Sequence, residues 1–208
     1  MKVQQAYTEW AATYDTDRNL TRDLDEHLMC ETFGGLRFDS VLEIGCGTGK
    51  NTALLARIAR RVHAIDLSPA MIARARQKSN FRNVTFMVAD ITKAWPCADQ
   101  SAELVTCNLV LEHLRDLPFV FSEAARVLNR GGQLFVSELH PCRQYLGVQA
   151  HFRRAGETTT VEAYVHHVTD FTDAATQNNL SLQSLREWWH EEDRDKPPRL
   201  ISFQFTRP

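Results

Sequence analysis

Three glycines spaced two residues apart follow a short apolar run at residues 40–49, and this stretch constrains the fold more than any other part of the chain. The five residues before them read Ser-Val-Leu-Glu-Ile, which is typical of a buried strand, and a helical apolar pattern begins at Thr52. Glycine lets the backbone approach a ligand closely, and free N–H groups at a helix start suit a polar or anionic ligand. The stretch therefore predicts the opening strand, turn and helix of a nucleotide-binding α/β unit.

The glycine spacing argues against two common phosphate-binding motifs. A dinucleotide fingerprint needs G-x-G-x-x-G, but the glycines are Gly45, Gly47 and Gly49, and Lys50 follows. A P-loop needs four residues between its first glycine and Gly-Lys, and here there are three. Together with Glu43 at the end of the strand, the turn instead resembles motif I of the class I S-adenosylmethionine-dependent methyltransferases.

Later strand ends extend this resemblance. The second apolar run ends at Asp66, 21 positions after Gly45, where a carboxylate accepts hydrogen bonds from ribose hydroxyls in NAD and S-adenosylmethionine proteins alike. In the family, the residue at the place of Asp90, after a third strand, hydrogen-bonds the adenine amino group. The stretch 108–114 resembles motif IV, where substrate and methyl donor meet, and 126–134 resembles the family's helix–turn–strand signature.

The resemblance implies one domain with a Rossmann-like doubly wound α/β sheet, mostly parallel, with an antiparallel C-terminal hairpin. We expect a helical arm or lid at 1–39, a cosubstrate-binding core at 40–139, a substrate-side insertion at 140–167, and a closing helix and hairpin at 168–208. The expected cosubstrate is S-adenosylmethionine, released as S-adenosylhomocysteine. The residues expected to bind it are Glu43, Gly45, Cys46, Gly47, Gly49, Asp66, Leu67, Met71, Ala89, Asp90, Ile91 and Asn108.

Aromatic and basic residues, most of them outside 40–139, are the candidate substrate contacts. The segment 7–15 resembles the "W…YD" opening of small-molecule methyltransferases of the type 11/25 group. The predicted substrate contacts are Tyr7, Trp10, Tyr14, His113, His140, Arg143 and Tyr145. His113, five residues after Asn108, is a candidate general base, and a structural role is the alternative. The histidines lack the spacing of metal ligands, so no metal site is predicted.

Composition narrows the function. The net charge of −2 disfavours nucleic acid as a partner, and no apolar run is long enough for a membrane span. Five scattered cysteines without a C-x-x-C pair, and a start without a signal-peptide pattern, predict a reducing cytoplasm. We expect methyl transfer to an oxygen, nitrogen or sulfur of a small molecule. The alternatives are an RNA or protein methyltransferase, a catalytically silent adenosine-ligand binder, and an NAD-dependent reductase. The sequence does not specify the oligomeric state.

Overall fold

A computed structural model describes residues 2–78, 80–154, 156–193 and 195–208. The helices are α1 (Val3–Trp10), α2 (Leu20–Phe33), α3 (Thr52–Ile58), α4 (Pro69–Lys78), α5 (Leu117–Val127), α6 (Pro141–Tyr145) and α7 (Val168–Gln177). The strands are β1 (Phe38–Ile44), β2 (Ala59–Asp66), β3 (Val84–Val88), β4 (Ala102–Asn108), β5 (Leu128–Leu139), β6 (His151–Arg154), β7 (Glu157–Thr160), β8 (Ser181–Trp188) and β9 (Leu200–Thr206). Short 3₁₀ helices cover Leu111–His113 and Glu191–Asp193.

Seven of the strands form one mixed sheet in the order β3-β2-β1-β4-β5-β9-β8. The first five are parallel, and β9 runs antiparallel to both β5 and β8. The chain leaves β1 toward β2 on one side and returns to β4 on the other, so the strand order reverses at β1. In such sheets, ligands bind in the crevice beyond the carboxyl ends of the strands at this reversal. The predicted fold class, including the antiparallel closing hairpin, is confirmed.

Helices cover both faces of this sheet. On one face α5 and α7 pack on the strands through residues such as Phe121 and Phe171. On the other face, α2, α3 and α4 contribute residues such as Leu28, Leu55 and Ile72. Burial on both faces explains why β1 reads as a continuous apolar run rather than an alternating one. No helix in the part of the chain that the structure describes is long and apolar enough to cross a membrane.

The two helices of the predicted N-terminal arm have different surroundings. Helix α2 belongs to the main core, where Leu28 and Phe33 are fully buried. Helix α1 instead packs in a small separate cluster, in which Trp10 stacks on Phe152 with ring centroids 5.3 Å apart. Phe152 lies on the β6–β7 hairpin within the predicted insertion. Helix α1 thus packs apart from the main core, whereas α2 packs within it, and the division of the chain at residue 39 stays a prediction.

Candidate active site

The turn after β1 needs glycine for two reasons. Gly45 and Gly47 have positive φ angles of 68° and 54°, which residues with a Cβ rarely adopt. A Cβ on Gly45 would also lie 2.1 Å from Cγ2 of Val110, so the two loops approach each other closely. The turn therefore brings the end of β1 against the residues that follow β4.

Asp66, at the end of β2, holds this turn in place. Its carboxylate accepts hydrogen bonds from the backbone N–H groups of Gly47 (2.9 Å) and Ser68 (2.7 Å). Burial raises the pKa of Asp66, and these two hydrogen bonds oppose the increase. A carboxylate has about four lone-pair positions, so Asp66 keeps acceptor capacity for a ligand.

A cavity of about 360 Å³ opens beside the turn, and we call it the glycine-turn cavity. Most of the predicted cosubstrate contacts line it, from the ends of β1, β2, β3 and β4. These are Glu43, Gly45, Cys46, Gly47, Asp66, Leu67, Ala89, Asp90, Ile91 and Asn108. The structure thus brings together residues spread over more than sixty positions of sequence. Their contacts with S-adenosylmethionine remain predictions.

Two predicted cosubstrate contacts lie elsewhere. Gly49 faces α4, where an added Cβ would lie 3.3 Å from Cβ of Ala75. Met71 is 1% exposed and belongs to the buried side of α4. Neither lines the glycine-turn cavity as the described residues define it. The physical reason is that α4 packs against the end of the turn at Gly49 and buries Met71.

The sequence interpretation missed a buried acid on α2. Asp25 is 4% exposed and accepts hydrogen bonds from the side-chain amides of Asn51 (2.7 Å) and Asn108 (2.8 Å). Glu43 lies in the same cavity wall, accepts a hydrogen bond from the Thr52 hydroxyl, and has its pKa raised by burial to about 8. The sequence does carry an indication of this buried acid. Asp25 follows Leu24 on a helix whose apolar residues recur every three or four positions.

A second cavity, of about 440 Å³, adjoins the first, and we call it the arm cavity. It includes all three predicted aromatic residues of the arm. Its walls are Tyr7, Trp10, Tyr14, Asp17 to Arg22, Leu109, Glu112, Leu139, Val148 to Phe152, and Arg199. The two cavities share Tyr7, Tyr14, Arg22 and Leu109. Leu109 has a φ of 57°, a strained conformation for a residue with a branched side chain.

Glu138 on β5 positions the segment that separates the two cavities. Its buried carboxyl accepts hydrogen bonds from the backbone N–H groups of Val110 (3.0 Å), Leu111 (2.7 Å) and Glu112 (3.3 Å). Burial raises the pKa of Glu138 to about 8, and the negative charge of Glu112 adds to the increase. The sequence interpretation singled out neither glutamate. For Glu112 the signal was an acid inside an otherwise apolar run, directly before His113.

Three predicted substrate contacts are directed away from both cavities. His140 lies 3.0 Å from the Glu187 carboxylate, and Arg143 forms an ion pair with Asp193 at 3.2 Å. Tyr145 is exposed and bonds His167 through its hydroxyl. None of the three is among the described residues that line either cavity. The backbone N–H of His140 donates to the carbonyl of Arg199 before β9, which directs the start of α6 toward the 187–199 segment.

The sheet order, the glycine turn and the acid at the end of β2 are those of the class I S-adenosylmethionine-dependent methyltransferase fold, as predicted. Residues 42–136 match the family model described as a methyltransferase domain, and the likeness of sequence to that family lies in this segment.

Two curated relatives are about one-third identical to this chain over the aligned segments. A malonyl-[acyl-carrier protein] O-methyltransferase from Hahella chejuensis is 35% identical over 66% of this chain and 50% of its own length. A demethylmenaquinone methyltransferase from Tropheryma whipplei is 31% identical over 68% of this chain and 61% of its own length. The chain therefore spans only about half to three fifths of these relatives.

Solved structures extend the likeness of fold to the whole chain. The N-methyltransferase NodS from Bradyrhizobium japonicum, in complex with S-adenosylhomocysteine, superimposes with a TM-score of 0.75 over 100% of both chains at 19% identity. An S-adenosylmethionine-dependent methyltransferase from Mesorhizobium loti gives a TM-score of 0.68 over 96% of this chain and 98% of its own, at 18% identity. At these identities, the likeness supports the fold alone.

Proposed function

We propose that this protein transfers a methyl group from S-adenosylmethionine, bound in the glycine-turn cavity, to a small molecule in the arm cavity. The observation that carries the proposal is the shared wall between the cavities, formed by Tyr7, Tyr14, Arg22 and Leu109. A donor on one side and an acceptor on the other would meet at this wall.

The charges of the glycine-turn cavity support the placement of the donor. Asp66 would accept the ribose hydroxyls, and Asp90 would lie toward the adenine. Asp25 and Glu43 lie in the same cavity wall. S-adenosylmethionine carries a sulfonium and an ammonium against a single carboxylate, so its net positive charge would favour the ionised forms of these buried carboxyl groups.

The reaction requires little chemistry from the protein. A lone pair of the acceptor attacks the methyl carbon, and the carbon–sulfur bond breaks with its electrons on sulfur, which leaves S-adenosylhomocysteine. Holding the two partners in line supplies as much as about 7–11 kcal/mol. The rings of Tyr7 and Tyr14 would add cation–π attraction for the sulfonium. If the acceptor begins protonated, a base is also needed, and His113 is the proposed one.

The identity of the acceptor does not follow from the relatives. Their names specify malonyl-[acyl-carrier protein] for one and demethylmenaquinone for the other. The arm cavity itself favours a compact molecule with a planar or apolar part, because Tyr7, Trp10, Tyr14 and Phe152 contribute aromatic walls. The predicted carboxylate contact with Arg143 is not proposed again, since that guanidinium is paired with Asp193.

The test is to incubate the protein with S-adenosylmethionine and a panel of metabolites, and to measure the S-adenosylhomocysteine that is formed by mass spectrometry. Asp66→Ala serves as the matched variant with an impaired donor site. Separate arms with RNA and with protein fractions test the alternative substrates. Release only in the RNA or protein arm would move the function to that class. Binding of S-adenosylhomocysteine without release in any arm would favour a silent binder.

A further inference from the structure

Glu112 is a buried carboxyl group with an unused oxygen in the wall of the arm cavity. The residue is 6% exposed, and its Oε2 has no hydrogen-bond partner among the residues that the structure describes. Leaving a buried polar group without a partner is costly, and most such groups in folded proteins are satisfied. The position is therefore one that a bound ligand would complete.

The backbone around Glu112 is held on both sides, so the segment that carries the carboxyl is fixed in place. Its N–H donates to Glu138 at 3.3 Å, and its carbonyl accepts the N–H of Tyr164 at 2.6 Å. Val110 and Leu111 donate to the same Glu138 carboxyl. A polar group held in this way on a rigid segment is preorganised for a ligand.

The neighbouring imidazole does not neutralise Glu112. Nε2 of His113 lies 3.9 Å from Oε1 of Glu112. However, Nδ1 of His113 lies 2.7 Å from the backbone carbonyl of Glu162, so this nitrogen carries the proton. Nε2 then accepts the hydroxyl of Tyr7 at 2.8 Å. Burial lowers the pKa of His113, which keeps the ring neutral near pH 7.

The guanidinium groups of the arm cavity are bonded to other residues. Arg18 pairs with Glu192, and Arg199 pairs with Asp193. Arg22 donates to the backbone carbonyls of Tyr14 and Asp17 and stacks on the Tyr14 ring, 4.0 Å from its centroid. Among the residues that the structure describes, none of these guanidinium groups pairs with the Glu112 carboxyl. Burial raises the pKa of Glu112 to about 7, and a hydrogen bond from the Gln144 side chain opposes the increase.

We infer that Glu112 binds a protonated amino group of the methyl acceptor, so that the arm cavity selects amines over alcohols and acids of the same shape. The inference rests on the proposed function. The ring of Tyr7 lines the same cavity and would favour an ammonium through cation–π attraction. A bound ammonium also donates N–H hydrogen bonds to the unused oxygen of Glu112. An alcohol donates a weaker, uncharged O–H hydrogen bond, and a carboxylate has no hydrogen to donate.

Three probes of one shape test the inference: benzylamine, benzyl alcohol and benzoate, titrated into protein saturated with S-adenosylhomocysteine and followed by calorimetry and NMR. We expect benzylamine to bind at least about 10-fold more tightly than benzyl alcohol, and benzoate to bind most weakly. Glu112→Gln should make benzylamine and benzyl alcohol bind alike. The control Glu162→Gln, an exposed acid on the adjacent loop, should keep the full preference.

The inference is overturned if the wild type binds benzylamine and benzyl alcohol equally or binds benzoate more tightly than either. It is also overturned if Glu112→Gln keeps the full preference for benzylamine. Melting temperature and S-adenosylhomocysteine affinity report whether Glu112→Gln is folded. If Glu112→Gln does not fold, Glu112→Asp replaces it, because this variant keeps the carboxyl but shortens the side chain by one methylene. An undiminished preference for benzylamine in Glu112→Asp would also count against the inference. Failure of the wild type to bind S-adenosylhomocysteine would contradict the proposed function, whereas normal binding without amine preference contradicts only this step.

Discussion

The hydroxyl of Tyr7 lies 2.8 Å from Nε2 of His113, across 106 positions of sequence. The rings also meet edge to face, with centroids 5.4 Å apart. Because the other ring nitrogen donates to the Glu162 carbonyl, the tautomer of His113 is set by its surroundings. The contact joins α1 to the segment after β4, so it links the predicted arm to the predicted base.

We predict that His113→Ala lowers kcat/KM by about 10²–10⁴-fold once the acceptor is identified, the usual contribution of a positioned base. In the wild type, log kcat/KM should rise with pH and level off below the ordinary histidine value, because burial lowers the pKa of His113. Tyr7→Phe keeps the imidazole but removes the hydroxyl that donates to its Nε2, so the pH dependence should persist with a higher pKa. Wild-type turnover in His113→Ala would leave the residue with a structural role only.

We predict that Asp66→Ala weakens S-adenosylmethionine binding by about 2–3 kcal/mol, the range for charge-assisted hydrogen bonds. The substitution removes the expected ribose contact and also the two acceptor bonds that hold the turn at Gly47 and Ser68. Calorimetry measures the change. Asp39→Ala is the matched control, since Asp39 is an exposed acid on the neighbouring strand β1. Unchanged affinity in Asp66→Ala would contradict the ribose assignment, and tight NADH binding by the wild type would contradict the choice of ligand.

We predict that deleting residues 1–18 abolishes turnover while the remaining protein still binds S-adenosylhomocysteine. Helix α1 packs through its own small cluster, and its removal takes Tyr7, Trp10 and Tyr14 from the arm cavity. Deleting residues 1–30 should instead unfold the protein, because Leu24, Leu28 and Met29 belong to the main core. Circular dichroism and calorimetry on both truncations separate these outcomes. Full turnover without residues 1–18 would reduce α1 to a packing element.

We predict that the ligand-free protein loses stability as pH rises from about 5 to 8. Burial raises the pKa of Glu43 from 4.5 to about 8, so the folded state holds a proton that the unfolded state releases. Its contribution is fully present below the unfolded value and is lost as pH rises through the folded one, by at most about 1.4 kcal/mol per pH unit. Denaturant titrations should give a shallower slope for Glu43→Gln than for the exposed control Glu31→Gln. Equal slopes would contradict the prediction.

The sequence by itself determined the strand–turn–helix unit at 40–58 and the class of the domain. These features depend on local chemistry: a buried run must be extended, a positive φ needs glycine, and parallel strands place their carboxyl ends at one edge. This is why Asp66, Asp90 and Asn108, each at or just after a strand end, could be assigned to one cavity in advance.

Only the tertiary structure decided which side chains beyond that edge share a site. His140 directly follows β5 and Arg143 lies four residues beyond its end, yet both side chains pair with the 187–199 segment. Distance from a strand end in sequence does not set the direction of a side chain, because that depends on which distant segment packs against the loop. Asp25 and Glu112 line the cavities for the same reason. Asp25 lies 83 positions before Asn108 in sequence, and the packing of α2 brings the two side chains into hydrogen-bond contact. Glu138 likewise holds the turn that carries Glu112.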